Sequence, residues 1–198
     1  MKKFYTIFLV VFSLYGYGQD VPLFTQSFTN TFIYNPSFSG IDFGSITLAH
    51  NRSWVDTEGA PTTNFLSINT PIPETNIGLG FSVLTESINF YENIYLSGAF
   101  AYHIPVNGDQ AFSFGISGEY SNIGIDNTKL FAQDPSEAIL TNLGDNVSNF
   151  DLSTGASFRS TYYLIGISAN RLASSFDANQ TGINFSEFYN AYLRLMLP

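Results

Sequence analysis

Cysteine is absent from this chain of 198 residues, and beyond the first twenty positions only five basic side chains occur: Arg52, Lys129, Arg159, Arg171 and Arg194. The first absence excludes disulfide frameworks, thiolate metal sites, cysteine nucleophiles and cysteine-linked lipid anchors. The second, with a net charge of −9, leaves no basic patch to contact phosphates, so no nucleic-acid partner is expected. Charged residues make up 12% of the chain, about half the share usual in a soluble domain. Histidine occurs only as His50 and His103, which leaves little for imidazole catalysis or metal binding. Nor is there an apolar run of the roughly 18 residues that a membrane-spanning helix needs. If such a chain enters a membrane, it does so as strands.

What is abundant is aromatic: 20 Phe and 12 Tyr accompany 16 Gly, and 44% of all residues are hydrophobic. Lys2 and Lys3 precede an apolar run from Phe4 to Tyr15, followed by Gly16-Tyr17-Gly18 and then Gln19-Asp20. That order of basic, apolar and small-residue regions predicts a secretory signal peptide over 1–18 and a mature domain over 19–198.

From Ser45 onward, apolar residues alternate with small or polar ones at a period of two, in segments of strand length. In the clearest segment Ile94, Leu96, Phe100, Tyr102 and Ile104 share one face, and Tyr95, Ser97, Ala99, Ala101 and His103 share the other. The pattern predicts strands over 45–54, 63–70, 76–85, 94–104, 111–120, 150–160, 162–171 and about 186–197. Asn107-Gly108 marks a hairpin between the fourth and fifth. Short turns at 71–74 and 105–109 contrast with the long polar stretch from Asp126 to Asn149, the habit of outer-membrane barrels.

Charge placement points the same way. Asp56, Glu58, Asp109, Asp126, Asp134, Glu137, Asp145 and Asp177 all fall in predicted loops, and strand interiors carry almost no charge. Hydrocarbon tolerates no lone charge cheaply, and the Phe and Tyr load suits aromatic girdles at two interfaces. The fold expected is therefore all-β, an antiparallel transmembrane β-barrel of about eight strands. A soluble secreted β-sandwich adhesin is the alternative that shares the alternation. A closed eight-stranded barrel is just wide enough to be filled by side chains. The small Gly, Ala and Ser residues on the inner face thus predict voids or water inside, and favour a larger wall.

Catalytic chemistry finds no support. A Ser-His-Asp hydrolase needs one histidine beside a serine and a carboxylate, and no nucleophile elbow is present. His103 is expected at a strand end near the bilayer surface. Asp145, Asn149 and Asp151 gather oxygen ligands, but their spacing does not match a calcium loop and reads as solvated loop polarity. No enzyme activity, metal or cofactor is expected. The stretch VDTEGAPTT, from Val55 to Thr63, reads as a rigid turn, with Trp54 before it placed as an interface anchor.

Several of these segments carry a resemblance. QDVPLFTQSFTNTFIYNPSFSG, from Gln19 to Gly40, resembles the opening of the PorP/SprF family of Bacteroidetes outer-membrane proteins, with Tyr34, Asn35, Pro36, Phe38 and Gly40 fitting its second element. RSWVDTEGAPTT resembles the family's tryptophan followed by a GAPTT turn, through Trp54, Gly59, Ala60, Pro61 and Thr62. IGLGFSV (77–83) is similar to its glycine-alternating strand, and 149–173 is similar to its late hairpin, ending in Asn170-Arg171-Leu172. Ser37 and Ser39 stand where alanines are usual, and Arg52 is shifted by one position from the family's arginine.

The resemblance implies an outer-membrane component of the type IX secretion and gliding-motility apparatus that helps export or tether surface adhesins. Its implied partners are membrane lipid, a secreted adhesin and other secretion components. Family members are typically longer, so a truncated copy, a fragment and a small barrel all remain open. A passive outer-membrane channel or hydrophobic-solute transporter is the rival function, because a polar lumen also suits a pore.

Overall fold

The computed structural model of the chain describes residues 30–125, 147–173 and 187–196. The signal peptide expected over 1–18, the family-like opening before Asn30, most of the long polar stretch and Asp177 lie outside the described residues.

Eight strands form: β1 (Ser45–Arg52), β2 (Thr62–Pro71), β3 (Ile77–Ile88), β4 (Tyr91–Asn107), β5 (Gln110–Ile125), β6 (Val147–Arg159), β7 (Tyr163–Asn170) and β8 (Phe188–Leu195). Each pairs antiparallel with its neighbours in chain order, giving one curled sheet shaped as a half-barrel. β1 and β8 are the two edges. Among the described residues no helix is long and apolar enough to cross a membrane.

The period-two pattern becomes two unlike surfaces. Ile68, Phe81, Phe100, Phe114, Ile116, Leu152 and Ile167 point outward and stay exposed. Their chain neighbours Ser67, Ser82, Ala99, Ser113, Ser117, Ser153 and Ser168 point inward and are buried. A belt of large apolar side chains on the convex side suits a hydrocarbon surrounding, and in water it would be an unusually large exposed patch. Ile116 lies halfway along β5 and is 62% exposed. Ile116→Lys is expected to cost about 2–4 kcal/mol in lipid vesicles if it sits near the midplane. Urea unfolding in vesicles checks this, and a change near zero would argue against a hydrocarbon-facing position.

The connections account for the differences from the expected strand ends. Two hairpins are tight: Asn107 pairs with Gln110 across Gly108-Asp109, and Ile88 pairs with Tyr91 across Asn89-Phe90. Gly108 and Asn89 both take the left-handed conformation such turns need. The Asn89 turn extends β3 and β4 beyond the predicted 76–85 and 94–104, because its one weak punctuation residue is flanked by good strand formers. β1 stops at Arg52 rather than Trp54. There the Ser53 N–H turns to the Pro61 carbonyl at 3.0 Å, and Trp54 adopts φ 50 in a turn closed by Thr57 N–H to Trp54 O at 2.8 Å.

Residues 30–44 precede β1; Asp42, Phe43 and Gly44 are exposed, while 30–41 lie against the inner wall. They make two short 3₁₀ turns, η1 (Thr31–Ile33) and η2 (Pro36–Phe38). Phe32, Phe38 and Ile41, with Ala99 and Leu164 of the wall, form the hydrophobic cluster of the lumen. The small inner residues leave room along the wall, and the chain's own N-terminal segment occupies part of it.

Candidate functional site: an insert seated in the barrel wall

The seat is built by register. Gly78 pairs with Ala101, Ala101 with Gly115, Gly115 with Gly155, and Gly155 with Ser168. These five inward positions form one row of small residues running across the strands. At its three glycines the backbone of the wall is bare, and the insert packs closely on it. A Cβ at Gly115 would come within 3.0 Å of the Pro36 and Ser37 backbone, and one at Gly78 within 3.0 Å of Ser39 and Gly40. Flanking glycines take the rings: Gly80 lies against Phe32, and Gly166 against Phe38. Phe38 also meets Tyr192 of β8 edge to face, with centroids 5.1 Å apart.

Asn35 is the staple. Its Oδ1 accepts from the Ser37 backbone N–H at 3.0 Å and from the Ser37 hydroxyl at 2.7 Å, which caps η2. Its Nδ2 donates to the Ile167 carbonyl of β7 at 3.1 Å, fastening the cap to the wall. Pro36 follows as the first residue of η2, where its missing N–H is not needed. Gly40 ends the segment with φ +63, pressed against Gly78 and Pro71, and donates its N–H to Asn69 Oδ1 at 2.7 Å.

Other polar side chains of the wall bind the backbone of the insert. Ser168 Oγ donates to Tyr34 O at 2.6 Å, and Asn190 Nδ2 donates to the same carbonyl at 3.3 Å. Arg159 donates to the Ile41 carbonyl, and Arg194 pairs with Asp42 at 3.6 Å. His103 donates from Nε2 to Ser39 O at 2.9 Å, while its Nδ1 lies 2.8 Å from Ser113 Oγ. His103 is therefore an inward wall residue that holds the insert, several residues before β4 ends, rather than a strand-end residue. Neither histidine forms a triad, and His50 hydrogen-bonds Asn64 at 2.7 Å on an exposed surface.

The second motif cluster lies at the other end of the wall. Gly59 takes φ +72, and its carbonyl accepts from the Asn89 N–H at 2.9 Å, so the GAPTT turn rests on the β3–β4 hairpin. Ala60 N–H donates to Thr57 O at 3.3 Å, Pro61 O receives Ser53, and Thr62 opens β2 opposite both Arg52 and Ser87. Trp54 is 72% exposed beside this turn. The eight motif residues thus separate into an inner group, Asn35, Pro36 and Gly40, and an outer turn, Trp54, Gly59, Ala60, Pro61 and Thr62.

Above the insert is a cavity of about 90 Å³, floored by Ile33 and Tyr34. Phe65, Tyr95 and Phe188 wall it, and Glu119, Asp151 and Arg171 bring charge to it. Ser153 Oγ donates to Glu119 Oε1 at 3.2 Å and accepts from the Arg171 N–H at 3.3 Å. Asn149 Nδ2 donates to Asp151 Oδ2 at 2.9 Å, so this pair of the expected oxygen cluster bonds internally. Asp145 lies outside the described residues. Among the described residues no group of three or more His, Asp or Glu is placed to hold a metal ion.

Sequence reading did not find this seat. Its glycines are ordinary strand glycines in one dimension, and they become a row only when the register aligns β3 to β7.

An antiparallel wall, oily outside and polar inside, with a segment of its own chain sealed against the lumen face, defines a membrane β-barrel protein with an internal insert. The chain belongs to the PorP/SprF family: the family described as "Type IX secretion system membrane protein PorP/SprF" matches residues 17–195. It is thus a type IX secretion system membrane component. No curated relative and no solved structure matches the chain significantly.

Proposed function

We propose that this protein works in the outer membrane as a non-enzymatic component of the type IX secretion and gliding-motility apparatus, helping to export or anchor surface adhesins. The observation that carries the reading is the family match across 17–195. The apolar outer belt and polar lumen support it physically, because they suit a wall with lipid on one side and a polypeptide on the other. On this reading residues 1–18 are a signal peptide, membrane lipid covers the belt, and the adhesin and other secretion components are the protein partners.

Deletion of the gene is expected to strip adhesins from the cell surface, and the protein is expected to stay with outer membranes through a carbonate wash. Unchanged adhesin display, or recovery in the soluble fraction, defeats the reading. The rival, a passive channel, is disfavoured by the insert, which packs across the inner wall from β3 to β8. Reconstitution into planar bilayers is expected to give no steady conductance, and a stable open pore would favour the rival.

A further inference from the structure

The convex face carries two recesses, one apolar and one polar, separated by a single row of side chains. We propose that together they seat one membrane phospholipid with a primary-amine head, its acyl chain in the apolar recess and its head in the polar one. The inference rests on the reading that lipid covers the belt, and it deepens that reading by naming the lipid class and the place.

Register creates the apolar recess. Gly98 pairs with Gly118 across β4 and β5, and the two share the outward face with Phe100 and Ile116. Nothing lies within 4 Å of a Cβ added at Gly98, and at Gly118 the ring of Phe150 is met at 3.5 Å. The wall is therefore dented between Phe81, Phe100, Ile116 and Leu152, and the dent measures about 860 Å³. That falls within the roughly 300–1,000 Å³ of ligand clefts, and its lining is overwhelmingly apolar.

The polar recess, about 690 Å³, lies on the same strands toward the β3–β4 hairpin, and Asn64, Thr85, Ser87, Glu92 and Asn122 face it. Leu66, Val83, Leu96 and Tyr120, each paired with the next, form the outward row that divides the two recesses. The Tyr120 hydroxyl lies 3.1 Å from Ser148 Oγ, which also accepts from Asn122 Nδ2 at 2.7 Å. A tyrosine joining apolar surface to a polar cluster is what a membrane interface favours. Gly98 is four residues from Ile94, about 13 Å along the strand and roughly 10 Å deeper at the tilt usual for barrels. With heads at the level of the polar recess, the dent is at the depth of acyl chains.

Charge selects the head. The lining of the polar recess includes the exposed Glu92 and no lysine or arginine. In the outward row that holds Glu92, Arg52 stands three strands away, about 14 Å. A net-negative head would thus meet a carboxylate with no cation beside it. A primary ammonium brings the opposite charge and three N–H donors, whereas a trimethylammonium head brings the charge without the donors. The amides and hydroxyls around Glu92 suit the phosphate and ester oxygens of the same lipid. Asn64 is already oriented for this by His50 at 2.7 Å and Thr85 at 3.2 Å.

Native mass spectrometry of the full chain from detergent micelles tests the seat, using phosphatidylethanolamine, phosphatidylcholine and phosphatidylglycerol with identical chains. One retained lipid per chain is expected, with the ethanolamine lipid held about threefold or more tightly than the other two, the scale of one exposed ion pair. Gly98→Phe fills the dent and is expected to weaken retention of all three by about tenfold or more, as if two methylene groups lost their contacts. Glu92→Lys leaves the dent intact and is expected to reverse the order, making phosphatidylglycerol the preferred lipid. Folding of each variant is read from the mobility of the unheated protein on a gel, and either variant decides alone if the other does not fold. Retention at random levels, equal retention of the three heads, an order unchanged by Glu92→Lys or retention unchanged in folded Gly98→Phe overturns the assignment. A dimer of the chain that Gly98→Phe dissolves would give the dent to a second copy, and overturns it as well. Protein that stays with outer membranes through the carbonate wash yet retains no lipid refutes the seat alone, whereas recovery in the soluble fraction refutes the membrane reading beneath it.

Discussion

Replacing Gly115 by valine is expected to unseat the insert and destabilise the protein by about 3 kcal/mol or more, the upper end of what overpacking costs. The reason is what the new side chain meets. At Gly115 the obstruction is the backbone of Pro36 and Ser37, which has no rotamer to swing away, so the whole insert must lift. Lifting it also breaks the bonds from Ser168, Asn190 and Asn35. Gly98 supplies the control, because nothing lies within 4 Å of a Cβ added on its outward side. Gly98→Val is expected to be neutral or to stabilise by about 0.5–1 kcal/mol, since glycine is a poor strand residue. Urea midpoints of the two variants in the same vesicles make the comparison. Equal effects at both sites would mean that the row does not seat the insert.

Asn35→Ala is expected to have the next largest effect, a loss of about 2–4 kcal/mol. It removes three hydrogen bonds, each with a net contribution of about 0.5–1.5 kcal/mol, and leaves the buried Ser37 N–H without its acceptor. Asn35→Asp separates the two roles. A carboxylate still accepts from Ser37 but cannot donate to the Ile167 carbonyl, and it buries a charge beside that oxygen. The aspartate variant is therefore expected to be at least as unstable as the alanine variant, although its shape is preserved. Protease digestion of the insert in folded micellar protein gives a second measurement: cleavage between 30 and 41 should appear in both variants and not in the parent chain. If the alanine variant loses under about 0.5 kcal/mol, within the range of ordinary surface changes, Asn35 is not the staple.

Much of the wall could be read from the chain. The alternation in 94–104 and 111–120 specified which residues face outward, and all eight predicted strands form. The reason is physical: side chains on a strand point alternately to opposite faces, so a two-sided environment writes itself into composition at a period of two. Asn107-Gly108 was legible for a similar reason, since its turn demands a backbone conformation that few residues adopt. Asn89-Phe90 was not, because asparagine alone is weak punctuation.

The seat and its occupant were decided elsewhere. Gly78, Gly115 and Gly155 are far apart in the chain, and their alignment is a property of strand register, which arises from hydrogen bonds between strands rather than within them. The same holds for Asn35, which finds Ile167 across most of the chain, and for His103, which the chain alone placed at a strand end and the fold turned onto Ser39. Local sequence determined the strands, their two faces and the family motifs, because each is encoded within a few neighbouring residues. Only the tertiary structure decided that the YNPSFSG segment lies along the inner wall, since its fit requires glycine or small side chains on five strands brought to one level.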